Sequence, residues 1–211
     1  MLAFMLLAPS GQSRSNPTDL SAPPVPATPG EGPHELMAGL SAQLFASLDR
    51  DRARIRRQPD RVLPLVDELL SAHFDAAYTA RLVLGAHWRD ATPEERQRFA
   101  AALYRTLLWT YAGAVADWTP DRLRILPHPD DAAALQVDVR TEVARPGAPA
   151  VPVDYRLHST TDGWMIFDIV VDGVSYVRTY HDDIDGEIKR TGLDAAIARL
   201  EKRRTGATPA R

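Results

Sequence analysis

The sequence contains no cysteine among its 211 residues. Disulfide bonds, thiolate nucleophiles and cysteine-ligated metal sites are therefore excluded. The six histidines are scattered along the chain, and none forms the closely spaced His-Glu-His pattern of zinc proteases. We predict from this that the protein has neither a metal site nor a catalytic cofactor.

An excess of charge of one sign and a long apolar run are also missing. The 25 Lys and Arg residues nearly balance the 28 Asp and Glu residues, which gives a formal net charge of -3. Nucleic-acid-binding domains are usually strongly basic, so no nucleic-acid partner is predicted. No stretch reaches the roughly 18 consecutive apolar residues of a membrane-spanning helix, so any membrane contact must be peripheral.

The first 33 residues are predicted to lie outside the folded domain. The short apolar run over residues 2–8 resembles the end of a secretory signal peptide, although no Lys or Arg precedes it. Residues 9–33 hold 7 of the 17 prolines, a composition that cannot bury enough apolar surface to become ordered. We therefore predict a signal-peptide remnant and linker over 1–33, one domain over 34–204 and a flexible tail over 205–211.

The first half of the domain has the pattern of helices. Leucines recur every four residues from Leu36 to Leu48, and further apolar rows follow over 62–70 and 74–84. Thr92 is followed by Pro93 and, three residues on, by Glu95, which is the pattern of a capping box. This predicts a long helix from Pro93 to about residue 117.

The second half has the alternation of strands. Strands are predicted over 122–126, 135–143, 151–158 and 164–171, then over 174–180, with closing helices from Asp182 and from Leu193. The 164–171 segment is apolar on both faces except for Asp168, so both of its faces must be covered. Helices followed by an antiparallel meander give an α+β architecture.

Two long segments resemble the MlaC, or toluene-tolerance, family. The first is LVLGAHWRDATPEERQRFAAALYRTLLWTYA, residues 82–112, and the second is WMIFDIVVDGVSYVRTYHDDIDGEIKRTGLDAAIARL, residues 164–200. Within the second, the family pattern is met by Trp164, Asp168, Gly173, Val174 and Ser175. The similarity extends from about residue 67 to residue 200.

The resemblance implies a cone-shaped fold like that of nuclear transport factors, with N-terminal helices packed on a curved antiparallel sheet that encloses an apolar cavity. It also implies a periplasmic, monomeric carrier of phospholipid. The implied partners are an inner-membrane Mla-type ABC transporter complex and an outer-membrane Mla lipoprotein–porin complex. The family usually has Asn-Tyr-Arg where this chain has Thr179-Tyr180-His181, and Gln-Phe where it has Asp183-Ile184.

The candidate lipid-binding residues are apolar or aromatic side chains of the long helix and the strands. They are Leu82, Tyr104, Leu108, Tyr111, Val139, Tyr155, Phe167, Ile169, Val171 and Val174. No catalytic residue is assigned, because Ser175 lacks the second glycine of a nucleophile elbow.

Two alternatives remain open at this stage. The first is an isomerase-like or dehydratase-like enzyme on a similar cone fold, in which Asp168 would be a pocket acid with Tyr104 or Tyr155 opposite it. The second is a structural adaptor with no cavity. An elongated apolar pocket favours the carrier, and a small pocket in which Asp168 faces a tyrosine favours the enzyme.

Overall fold

The computed structural model describes residues 31–116, 119–127 and 134–202. The described helices are α1 Pro33–Arg57, α2 Val62–Leu70, α3 Ala76–Leu84, α4 His87–Asp90, α5 Pro93–Tyr111, α6 Tyr176–Thr191 and α7 Leu193–Lys202. The described strands are β1 Leu123–Ile125, β2 Gln136–Arg145, β3 Ala148–Thr160, β4 Gly163–Val171 and β5 Val174–Ser175. The predicted α+β architecture is confirmed. The signal-peptide remnant and most of the linker lie outside the described residues, as does the predicted tail.

The sheet is an antiparallel meander in which the strands follow one another in chain order from β1 to β5. A β-bulge interrupts β4, because Arg156 pairs with Asp168 while the next residue, Leu157, pairs with Ile166. Phe167 is the extra residue, and both Phe167 and Asp168 are buried. A bulge bends the strand and increases its twist, which gives the sheet its curvature at the site where both faces of β4 are covered.

The long helix α5 starts where its sequence predicts. The backbone N–H of Glu95 donates to Thr92 Oγ1 at 3.2 Å, and the backbone N–H of Thr92 donates to Glu95 Oε2 at 2.7 Å. These two bonds satisfy N–H groups that the first turn of a helix leaves without intrahelical partners. The predicted end near residue 117 was wrong, because α5 ends at Tyr111 and the chain continues as a 3₁₀ turn over Ala112–Val115.

The start of α6 was also predicted wrongly. The sequence analysis placed a strand over 174–180 and a helix from Asp182, but β5 has only two residues and α6 begins at Tyr176. Ser175 is the N-cap, and its Oγ accepts the backbone N–H of Arg178 at 3.1 Å. The alternating apolar residues after Gly173 thus belong to an amphipathic helix whose cap fixes its start.

Three clusters of buried side chains fill the domain. The first joins α3, α5, α6 and α7 around the fully buried Phe99 and Ile184. The second joins α1 to the sheet through Leu36, Val139 and Leu157. The third joins α1, α2 and the end of α5. All three clusters contribute residues that border the space that forms the candidate site.

Candidate functional site: an apolar cavity between helices and sheet

A cavity of about 160 Å³ lies between the N-terminal helices, α5 and the sheet. One face of α1, which includes part of its leucine row, lines the cavity, and α2 contributes Val66, Leu69 and Leu70. The opposite wall consists of β4 and the first residues of α6. Nearly all of the lining is hydrocarbon, so the cavity is suited to an apolar ligand.

Six of the ten candidate lipid-binding residues line this cavity. They are Tyr104, Leu108, Tyr111, Tyr155, Phe167 and Ile169. The cavity lies between α5 on one side and β3 and β4 on the other, so it brings together residues that are as many as 65 positions apart, from Tyr104 to Ile169. Whether they contact lipid stays a prediction.

The structure places the other four candidates outside the cavity lining. Val139 is fully buried, but it packs against α1 in the second core cluster. Val174 is 56% exposed, because β5 lies at the edge of the sheet. Leu82 is half-buried on α3 but is not part of the lining, unlike Thr79 and Val83 of the same helix. Val171, the last residue of β4, is also outside the lining.

The sequence analysis missed the contribution of α1 and α2. Met37, Leu40, Ser41 and Leu44 line the cavity from α1. The four-residue leucine spacing identified these helices, but it does not distinguish a helix face that packs on a core from one that borders a cavity. That distinction requires the distance between the helix and the sheet.

Several polar side chains in the lining are already satisfied by the protein. Tyr104 Oη donates to Asp67 Oδ1 at 2.7 Å, Thr79 Oγ1 donates to the Phe167 carbonyl at 2.8 Å, and Ser41 Oγ donates to the Met37 carbonyl at 2.7 Å. Burial, followed by the bond to Asp67, raises the pKa of Tyr104. These groups therefore add little polarity to the cavity surface.

Asp168 is the one carboxylate in the lining, and it is held by three partners. Its Oδ2 accepts the Ser175 hydroxyl at 2.6 Å and Arg156 Nη1 at 3.3 Å, and its Oδ1 accepts the backbone N–H of Val177 at 3.0 Å. The carboxylate thus ties β3 and β4 to the start of α6. Asp168 is therefore hydrogen-bonded within the fold. The enzyme alternative required Asp168 to face a tyrosine, but the hydrogen-bond partners of its two oxygens are Ser175, Arg156 and the Val177 backbone.

Four tyrosines of the cavity lining form a polar group that we call the tyrosine cluster: Tyr111, Tyr155, Tyr176 and Tyr180. The rings of Tyr111 and Tyr176 stack with centroids 4.1 Å apart. Burial, followed by the neighbouring Tyr180 and Tyr176, raises the pKa of Tyr111, and burial raises the pKa of Tyr155 to about 12. These hydroxyls therefore stay protonated at neutral pH and can donate hydrogen bonds.

The remaining titratable pairs lie away from the cavity lining. His158 Nε2 lies 3.1 Å from Asp75 Oδ2, and His87 Nε2 lies 2.9 Å from Asp185 Oδ1. Within residues 31–116, 119–127 and 134–202, no three metal-ligating side chains come together. Over the same residues, no helix is both long and apolar enough to cross a membrane.

Comparison with known proteins relates this geometry to proteins of known function. The toluene tolerance protein ttg2D of Pseudomonas putida is 22% identical over 176 residues, which cover 83% of this chain and 81% of that protein. The intermembrane phospholipid transport system binding protein MlaC of Haemophilus influenzae is 20% identical over 173 residues, covering 81% of each.

The fold is also that of a solved lipid complex. A phospholipid-binding protein from Ralstonia solanacearum, in complex with a phospholipid, superposes with a TM-score of 0.74 at 26% identity, covering 82% of this chain and 97% of that one. The family model for the MlaC protein matches residues 39–202, which include all of the cavity lining except Met37. The chain therefore belongs to the MlaC family.

Proposed function

We propose that this protein is a phospholipid carrier that shelters acyl tails in its apolar cavity. The observation that carries the proposal is the cavity itself, an apolar space enclosed by a fold that holds a phospholipid in the Ralstonia solanacearum protein. The six candidate residues in its lining are proposed to contact the tails, together with Met37, Leu40 and Leu44 of α1. No bond is made or broken in this function.

The energetics suit a carrier that must both load and unload. Burying a methylene group is worth about 0.8 kcal/mol, so two tails of about 15 carbons each gain on the order of 20 kcal/mol relative to water. A bilayer gives the same tails a similar gain. Transfer between a membrane and the carrier is therefore close to neutral in free energy, and a partner protein can drive it in either direction.

The volume of the cavity has a mechanical consequence. At about 160 Å³ it is smaller than the roughly 300–1,000 Å³ of typical ligand pockets. A phospholipid must therefore widen it. Widening costs little free energy where apolar side chains give up contacts with one another and gain contacts with the lipid tails. The face of α1 that includes Met37, Leu40 and Leu44 has apolar side chains of this kind.

Location and partners extend the proposal. We place the protein in the periplasm as a monomer that shuttles lipid between an outer-membrane lipoprotein–porin complex and an inner-membrane ABC transporter complex. Membership of the MlaC family and the name of the Haemophilus influenzae relative support this placement. Binding of the tails requires no cofactor.

Native mass spectrometry of the purified protein, followed by lipid extraction, tests the proposal. We expect about one phospholipid per chain, because the cavity is apolar and the fold is that of a lipid complex. The same measurement after delipidation and incubation with phosphatidylglycerol vesicles should restore the bound mass. Fully stable protein that is free of lipid and takes none from the vesicles would contradict the proposal.

A further inference from the structure

The tyrosine cluster is the part of the cavity lining with unused hydrogen-bonding capacity. Tyr104, Thr79 and Ser41 each donate to another group of the protein, and three donors occupy the oxygens of Asp168. Within the part of the chain that the structure describes, the Tyr155 hydroxyl has no hydrogen-bond partner. Among the described residues, the Tyr111 hydroxyl neighbours the hydroxyls of Tyr176 and Tyr180.

The cluster draws its members from three elements that line the cavity. Tyr111 is the last residue of α5, Tyr176 is the first residue of α6, and Tyr155 lies on β3 opposite Ile169 of β4. The other walls present hydrocarbon from α1 and α2. The cavity lining thus has a polar part, which is the tyrosine cluster, and a larger apolar part, as an amphipathic ligand requires.

The hydroxyls of the tyrosine cluster can donate hydrogen bonds to a carbonyl oxygen. Burial keeps these phenols neutral, so each hydroxyl retains a proton that it can donate. A hydroxyl that faces an apolar cavity without a partner is costly to desolvate, and an incoming oxygen with free lone pairs would satisfy that of Tyr155. In a diacyl lipid, the ester carbonyls lie at the junction between the tails and the headgroup. Their oxygens would meet the tyrosine cluster while the tails fill the apolar part of the cavity.

We propose that the tyrosine cluster is a subsite for the glycerol ester carbonyls of the bound lipid, with Tyr111, Tyr155 and Tyr176 as donors. The subsite fixes the depth to which the tails enter and leaves the headgroup outside. It rests on the proposed lipid-carrier function, and it adds a polar contact that cavity volume alone does not provide.

The test compares two lipids and two sets of variants. Delipidated wild-type protein and the Tyr111→Phe/Tyr176→Phe double variant are titrated with a diester phosphatidylglycerol and with its diether analogue, which lacks the carbonyls. Phenylalanine keeps the ring stack of Tyr111 and Tyr176. Tyr155→Phe is measured in the same way. The matched control is Tyr78→Phe, which removes a hydroxyl that accepts from Gln136 Nε2 at 3.1 Å outside the cavity lining.

We expect wild-type protein to bind the diester about tenfold more tightly than the diether, because each lost hydrogen bond is worth a few-fold in affinity. The double variant should lose most of this preference and Tyr155→Phe part of it, because each removes some of the proposed donors, while Tyr78→Phe should keep the preference. Equal binding of the two lipids by wild type would overturn the subsite, and so would a double variant that keeps the full wild-type preference for the diester. Failure of wild type to bind either lipid would instead refute the carrier function.

Discussion

Single residues determine whether the cavity behaves as a dry space for tails or as a packed core. Leu108 lines the cavity and is half-buried, whereas Leu84 on α3 is fully buried in the first core cluster. Both are leucines on helices that pack against each other. The pair therefore separates the effect of filling a cavity from the effect of overpacking a core.

We expect Leu108→Trp to lower bound lipid per folded chain to below about half of wild type, because the indole occupies the volume of a tail. Its melting temperature should stay within a few degrees of wild type. Leu84→Trp should instead cost about 1–3 kcal/mol of stability and leave lipid per folded chain unchanged. Native mass spectrometry and thermal melts measure both quantities. A Leu108→Trp protein that melts far earlier and still carries normal lipid would refute the cavity assignment.

Asp168 illustrates a buried charge with a structural role. Asp168→Asn keeps the shape of the side chain but turns one acceptor oxygen into a donor, which then faces a hydroxyl, a guanidinium or a backbone N–H. We expect a loss of about 1–3 kcal/mol in the free energy of unfolding by urea. The side chain of Arg156 is 40% exposed, so its ion pair with Asp168 should account for little of this loss.

Lipid content distinguishes this role from a functional one. If Asp168 only ties α6 to the sheet, the folded Asp168→Asn protein should carry as much lipid as wild type. Loss of lipid at unchanged stability would instead assign Asp168 to the binding site.

At the scale of elements, the contact between α3 and α6 depends on one glycine. Gly85 ends α3 with φ 55° and ψ -120°, a conformation that side chains with a Cβ rarely adopt. The ring of His181 on α6 fills the space above it, and its Nδ1 lies 2.9 Å from the Val83 carbonyl. A Cβ on residue 85 would come within 2.8 Å of His181 Cε1. The His181 of this chain, where the family usually has Arg, therefore has a packing role.

We expect Gly85→Ala to destabilise the protein by about 1–3 kcal/mol through backbone strain and the clash with His181. A double-mutant cycle with His181→Ala separates the two causes. The alanine should cost less in the His181→Ala background, and the difference is the steric part. Additive effects would show that the ring moves aside freely and that only the backbone strain remains.

The whole molecule must change shape if the cavity is to accept a phospholipid. α1 packs on the sheet through apolar side chains, and part of the same helix face lines the cavity. We therefore expect α1 to move away from the sheet when lipid binds. The helices α5, α6 and α7 share a core around Phe99, only part of which borders the cavity, and they should keep their arrangement.

The absence of cysteine allows this movement to be measured with spin labels at introduced cysteines. The exposed residues Ala46 on α1 and Arg140 on β2 report the opening, and Gln97 and Arg190 on α5 and α6 are the control pair. We expect the first distance to grow by at least about 2 Å on binding phosphatidylglycerol, and the second to stay constant. An unchanged first distance in protein that has taken up lipid would place the opening elsewhere.

Much of this protein could be predicted from the sequence because local patterns have local causes. The capping box of Thr92 and Glu95 sets the start of α5 through bonds within one turn. The alternation of the strands and the turns between them give the antiparallel meander. Two long family segments gave the family itself, and the family model confirms it.

The tertiary structure decided what depends on distances between elements. The bulge at Phe167 buries Asp168 on a wall of the cavity, and no periodicity along β4 reveals a bulge. Ser175 is held in place as the cap of α6 because Asp168 accepts its hydroxyl and also accepts a backbone N–H in the first turn of that helix. Val139 and Tyr155 are both apolar-facing residues of the sheet, yet one is core and the other lines the cavity. Periodicity identifies the face that a residue occupies, but only the gap between the helices and the sheet determines whether that face is packed or open.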